Sequence, residues 1–191
     1  GVAAGLLLAT NFGILSQSIS ENVLRQVLLV RTPSITAHRG GSIRAPENTI
    51  SAVLRAIDEG ADYAEIDVRM TRDGVVVLMH DVNLERTTGV DQNIWETDYS
   101  ELESMEAGSY FSEVFIGEKI PTLEEVLSEA DGKINFNIEI KTSKHSPELP
   151  QKVAEIILAY GIEDECVVSS FNHNALKTVK SVSEKIKTGL I

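Results

Sequence analysis

Two histidines stand where apolar runs end: His38 in SITAHRGGSIRAPENT and His80 in GVVVLMHDVNLERTT. Between them YAEIDVRM carries Glu65 and Asp67, and further on INFNIEIK carries Glu139 and Lys141. In a strand, residues two apart point the same way. Glu65 and Asp67 therefore share one face, and Ala64, Ile66, Val68 and Met70 share the other. Glu139 and Lys141 likewise face away from Ile134, Phe136, Ile138 and Ile140. Two imidazoles, three carboxylates and an ammonium exceed what strand ends need to hold a core. They are the parts required to hold a divalent cation and to move protons around a phosphate ester.

Each member has a plainer reading. A lone Glu-x-Asp is more often a solvated sheet face, Glu139 with Lys141 a structural ion pair, and His38 a satisfied core histidine. Arg39 can cap a helix, and Glu47 can be a charge favoured at a helix N-terminus. The constellation is more specific than any member. A carboxylate pair inside a covered sheet is costly without a cation or hydrogen bonds. His145 and His173 lie in polar loops and read as solvated. Ser169 and Ser170 lack a Gly-x-Ser-x-Gly elbow and read as structural or as hydrogen-bond donors.

The elements that must position these groups follow from periodicity. SITAH reads as a strand. Asn48 caps a helix whose stripe is Ile50, Val53, Leu54 and Ile57, and Gly60 ends it. DYAEIDVRM is a strand, TRDG a turn and VVVLMH a buried strand. Residues 82–119 form a long irregular connection with Trp95, Tyr99, Tyr110 and Phe111, of the kind that is usually functional. Thr122 and Glu125 make a capping box for TLEEVLSEA. KINFNIEIK, ECVVSS and IKTGLI read as strands, and PELPQKVAEIILAYG and HNALKTVKSVSEK as helices. Alternating strands and helices predict a parallel sheet covered by helices. Polar residues at strand C-termini match the active face of a (β/α)8 TIM-type barrel. One connection resists this: TRDG is too short for a parallel crossover. An antiparallel hairpin around Arg72 and Asp73 is the alternative, and it sets Glu65 nearly opposite His80.

The 191 residues suit one domain with a sizeable core. A formal net charge of −12 argues against nucleic acid as the partner. It does not exclude a small phosphate ester, because a bound cation reverses the local sign. The single cysteine, Cys166, reads as a buried core thiol. Residues 1–31 form an apolar helical segment, free of charge until Glu21. Its composition leaves open the end of a membrane region, a signal-peptide remnant and a surface helix.

Taken in order, HRGG, PENT, EIDVRMTRDG, VVVLMHDVNLERTTG, IPTLEEVL, NIEIK and VVSSFN resemble the glycerophosphodiester phosphodiesterase family, over roughly residues 34–191. The resemblance implies a (β/α)8 barrel domain from residue 32, counted here as truncated after about six strands, in which the short TRDG connection is a family feature. It implies His38 and His80 as the general acid–base pair and Glu65, Asp67 and Glu139 as ligands of Mg²⁺ or Ca²⁺. Arg39 and Lys141 would hold the substrate phosphate, and Glu47 would support the site from behind. The implied reaction is hydrolysis of a glycerophosphodiester to glycerol 3-phosphate and an alcohol. Action on intact lipids, like a lysophospholipase D or sphingomyelinase D, is one alternative; a non-catalytic barrel fragment is another. Membrane helices before the barrel in many bacterial members raise the expectation of membrane association through the N-terminus. A cytoplasmic or secreted location is the remaining alternative.

Overall fold

In the computed structural model of the chain, the described residues are 33–191; the segment 1–31, with its expected helix and membrane reading, lies outside them. No helix among the described residues is long and apolar enough to cross a membrane. Among the described residues six strands form one sheet: β1 (Thr36–Ala37), β2 (Tyr63–Met70), β3 (Val76–Leu78), β4 (Asn135–Ile140), β5 (Cys166–Ser170) and β6 (Lys187–Leu190). Strands β1, β2, β4, β5 and β6 lie side by side in that order, all parallel. Helices cover one face: α1 (Ile50–Asp58), α4 (Leu123–Ala130), α5 (Leu149–Tyr160) and α6 (His173–Val182). Two single-turn helices, α2 (Glu85–Thr88) and α3 (Tyr99–Leu102), lie in the long connection. This is part of the wall of a (β/α)8 barrel.

The short connection takes its antiparallel form. β3 pairs back onto β2, with Met70 opposite Val76 and Val68 opposite Leu78. The turn is closed by the Thr71 hydroxyl, which donates to Asp73 and accepts from the Val75 N–H, and by Gly74 at φ +86°. The sheet has the six strands counted from sequence, and five of them follow the parallel path. A five-residue link cannot carry a chain back to the start of a parallel neighbour.

Alternation along the strands sorts the two faces. Ala64, Ile66, Val68, Phe136, Ile138, Ile140 and Val168 are buried against Val53, Leu127, Val153, Ile157 and Val179 of the helices. Each fully buried Ile or Val contributes about 1.5–3 kcal/mol relative to exposure. Along β3 the period of two serves two cores. Val76 and Leu78 join this one, while Val77 and Met79 join a second with Leu84, Ile94, Leu102, Ala107 and Ile120. The long connection after β3 is thus folded over a small core of its own.

The helix boundaries follow the expected signals, with one exchange. The Thr122 side chain accepts from the Glu125 N–H and the Glu125 side chain accepts from the Thr122 N–H, as the capping box requires. Gly161, at φ +68°, closes α5. At α1, however, Thr49 rather than Asn48 is the cap, accepting from the Ala52 N–H at 3.2 Å. The buried stripe of α1 is Ala52, Val53 and Ala56, and Leu54 is 39 % exposed.

Candidate active site

The strand register fixes the centre of the site. Asp67 on β2 lies level with Glu139 on β4, which lies level with Ser169 on β5; Glu65 lies level with Asn137. The inner face is therefore polar in layers. Glu65, Asp67 and Glu139 are all buried, and one oxygen of each lies within 4.8 Å of the others. Burial and the nearby Asp67 and Glu139 charges push the Glu65 carboxyl above its ordinary value, although it accepts the Arg39 N–H. Lys141, just beyond β4, puts Nζ 3.0 Å from Asp67 Oδ1 and 2.5 Å from Glu139 Oε1. Burial opposes its charge, but hydrogen bonds to Glu139 and Asp67 outweigh that and raise the ammonium's pKa. Clustered carboxylate oxygens without sulfur or imidazole fit a hard divalent cation, and could hold one.

The loop after β1 is built around this cluster. His38–Gly40 form a tight turn in which Arg39 takes the left-handed conformation at φ 52°. That conformation is uncommon for a residue with a Cβ. It aims the Arg39 N–H at Glu65 Oε2, 2.8 Å away. A side chain at Gly40 would meet the Ala52 Cβ at 3.1 Å and Val53 at 3.2 Å, so the loop sits close on α1 only because glycine stands there. His38 Nε2 lies 3.8 Å from Glu65 Oε2, with a side chain 70 % exposed. The Arg39 guanidinium donates from Nη1 to Glu47 at 2.8 Å and has Nε 3.8 Å from Asp67. That Nε is buried and has no hydrogen-bond partner.

The loop after β3 supplies His80. Its carbonyl accepts two hydrogen bonds from the Arg69 guanidinium, at 2.9 and 2.6 Å. Its Nδ1 lies 2.7 Å from Asp81 Oδ1. Contacts link His38, Arg39, Glu47, Glu65, Asp67, Glu139 and Lys141 to one another, and His80 lies on the neighbouring loop with its carbonyl on Arg69. His145 is exposed, as read, but its ring stacks on Trp95 at 4.4 Å. Ser169 donates to Asn137 at 2.8 Å and Ser170 to the Ile140 carbonyl at 2.9 Å, which are structural roles.

Other residues were not legible as part of the site. Asn48, read as a helix cap, takes φ 57° and grips Asp67 twice: its amide donates to Oδ2 at 2.9 Å and its Oδ1 accepts the Asp67 N–H at 3.0 Å. Arg69 extends the Glu65–Asp67 face by one more step of two, a signal present in the alternation itself. Burial lowers its pKa despite the attraction of Asp67, Asp81 and Glu139. Asp81 and Arg86 follow His80 on the same loop, and Arg86 crosses to Glu47 on the other, a contact that no spacing announces.

A protein-family model described as the glycerophosphoryl diester phosphodiesterase family matches residues 38–191. The chain is 41% identical over 160 residues to a glycerophosphodiester phosphodiesterase of Caldanaerobacter subterraneus, covering 82% of this chain and 65% of that protein. It is 30% identical to human glycerophosphodiester phosphodiesterase 1 over 82% of this chain and 48% of that one. Among solved structures, an Oleispira antarctica phosphodiesterase in complex with the product sn-glycerol-3-phosphate superposes with a TM-score of 0.78 at 34% identity, over 83% of this chain and 65% of that one. A glycerophosphodiester phosphodiesterase from Agrobacterium tumefaciens gives 0.75 at 32%, over 82% and 66%. The chain spans about two thirds, or less, of the length of these relatives.

Proposed function

Because the chain belongs to the glycerophosphoryl diester phosphodiesterase family, we propose that its domain, residues 32–191, forms the catalytic part of an enzyme hydrolysing glycerophosphodiesters to glycerol 3-phosphate and an alcohol. The observation that carries this reading is the buried Glu65–Asp67–Glu139 cluster, with the histidine-bearing loops after β1 and β3 beside β2. The product-bound Oleispira relative supports the substrate class.

In this reading Glu65, Asp67 and Glu139 hold a divalent cation, Mg²⁺ or Ca²⁺. When bound, it supplies positive charge to the non-bridging phosphate oxygens. The side chains do the rest. Lys141 uses two of its three donors on Asp67 and Glu139, leaving one for a phosphate oxygen. Arg39 is tied through Nη1 and has Nε without a partner. One histidine takes the proton of the attacking oxygen, which is a water or the neighbouring glycerol hydroxyl; the latter route gives a cyclic phosphate that a water then opens to glycerol 3-phosphate. The bond between phosphorus and the alcohol oxygen breaks, and the other histidine protonates the departing alkoxide. When Nδ1 of His80 carries the proton, Asp81 accepts it, and Nε2 keeps a lone pair for proton transfer.

The test is hydrolysis of glycerophosphocholine by the full chain, with and without chelator, with Mg²⁺ or Ca²⁺ restored. Release of glycerol 3-phosphate that depends on the cation and vanishes in His38→Ala with His80→Ala is expected. An undiminished rate in the double variant would overturn the reading.

A further inference from the structure

We propose that Arg86 is a positioning residue, tying the loop that carries Arg39 to the loop that carries His80 and holding the His80 ring in its working orientation; this rests on the function proposed above. The contacts form one chain across two loops. Glu47 Oε1 accepts from Arg39 Nη1 at 2.8 Å and from Arg86 Nη2 at 2.6 Å, while Oε2 accepts from Arg86 Nη1 at 2.9 Å. Arg86 Nε donates to Asp81 Oδ2 at 2.5 Å, and Asp81 Oδ1 meets His80 Nδ1 at 2.7 Å. All three nitrogens of one guanidinium are used, on two carboxylates that belong to different loops. The Glu47 N–H, held by the Tyr110 hydroxyl at 3.0 Å, completes the near side.

Stability alone does not account for this arrangement. Arg86 is 44 % exposed in its side chain. Ion pairs in such settings contribute little to stability. What the planar fork supplies is direction. Both carboxylates are fixed in angle as well as distance, and each points its other contact at a residue of the site: Glu47 at Arg39, Asp81 at His80. A lysine in the same place is a point charge and cannot hold both angles. Asp81, adjacent to His80 in sequence, is otherwise free to swing. The neighbouring helix α2 brings Arg86 back onto it.

The full chain is compared with Arg86→Ala, Arg86→Lys, Asp81→Asn and His80→Ala on glycerophosphocholine. Arg86→Ala is expected to lower kcat roughly 10- to 100-fold with KM little changed, as for a misplaced catalytic group. Added methylguanidinium should restore part of the rate, and Arg86→Lys should restore less than half of it. Asp81→Asn keeps the volume, sets an amide against Arg86, and should lose kcat similarly; it carries the test if Arg86→Ala does not fold. A kcat within twofold of wild type in the folded variants would overturn the proposal. The ¹⁵N signals of the His80 ring give a second reading that needs no turnover. They should shift and broaden in Arg86→Ala and Asp81→Asn, and unchanged signals would overturn the proposal. A wild-type chain that does not hydrolyse the substrate, with His80 signals that still respond to Arg86→Ala, would instead sink the proposed function and leave the positioning role standing.

Discussion

Glu65, Asp67 and Glu139 stand on adjacent strands and are at most 8 % exposed. His38 and His80 sit on loops beyond, with side chains 70 % and 33 % exposed. The two regions are held by different means. The carboxylates are placed by sheet register and by burial against Lys141 and Asn48, so their separation is as rigid as the ladder between β2 and β4. His80 is placed by hydrogen bonds, its carbonyl accepting from Arg69 and its ring meeting Asp81, which Arg86 holds; His38 stands on the turn after β1, its ring 3.8 Å from Glu65. The carboxylates should therefore couple chemistry to folding, whereas the histidines should report on chemistry almost alone.

The largest expected effect comes from Asp67→Ala. Asp67 is 1 % exposed and engages Lys141 and Asn48. Removing it takes away one of the two carboxylate partners of Lys141 and leaves the buried Asn48 amide without its acceptor. Activity should fall below detection, and urea unfolding should show a loss of about 3 kcal/mol or more. Wild-type stability in this variant would show that the ladder does not need the pairing. Next come His38→Ala and His80→Ala, each expected to lower turnover roughly 10²- to 10⁴-fold with the unfolding midpoint nearly unmoved. If either variant unfolded at markedly lower urea, the contrast between strand and loop would fail.

Titration separates the regions by sign. The Glu65 pKa is raised by burial. In cation-free protein this contributes stability below its unfolded value of about 4.3 that is lost as pH rises through the folded value. Burial of Glu47 and Asp81 is outweighed by hydrogen bonds, from Arg86 and Arg39 to Glu47 and from Arg86 and His80 to Asp81, and both pKa values are lowered. Their contribution is present above the unfolded values and is lost as pH falls through the folded ones. Urea midpoints at pH 7 in chelator should therefore rise in Glu65→Gln and fall in Asp81→Asn. A shift of the same sign in both would contradict the assignment.

The smallest effect concerns the ground both regions share. Cys166 begins β5, is 1 % exposed, and burial pushes its thiol up to about 11. Alkylation by iodoacetamide at pH 8 should be negligible in the native chain. It should stay so in His80→Ala and become measurable in Asp67→Ala. Equal labelling of the two variants would show that damage at the cluster does not reach the neighbouring strand.

Several features were written in the residue order. The period of two in YAEIDVRM and INFNIEIK separates the acidic face from the apolar one without reference to anything else, because a pleated strand leaves no other choice. The capping box at Thr122 and the glycine after Tyr160 fix their helix ends locally. The family motifs named the candidate residues. What the tertiary structure decided are the matters that depend on pairing across distance. The ladder decides between the two forms left open at TRDG: β3 folds back antiparallel, and five of the six strands follow the barrel path. Asn48 reads as a helix cap because short polar side chains favour such positions. It instead grips a carboxylate 19 residues away, and Thr49 takes the cap. The bridge from Arg86 to Glu47 spans 39 residues. A guanidinium's partners are chosen by where the loops come together, and no local pattern records that.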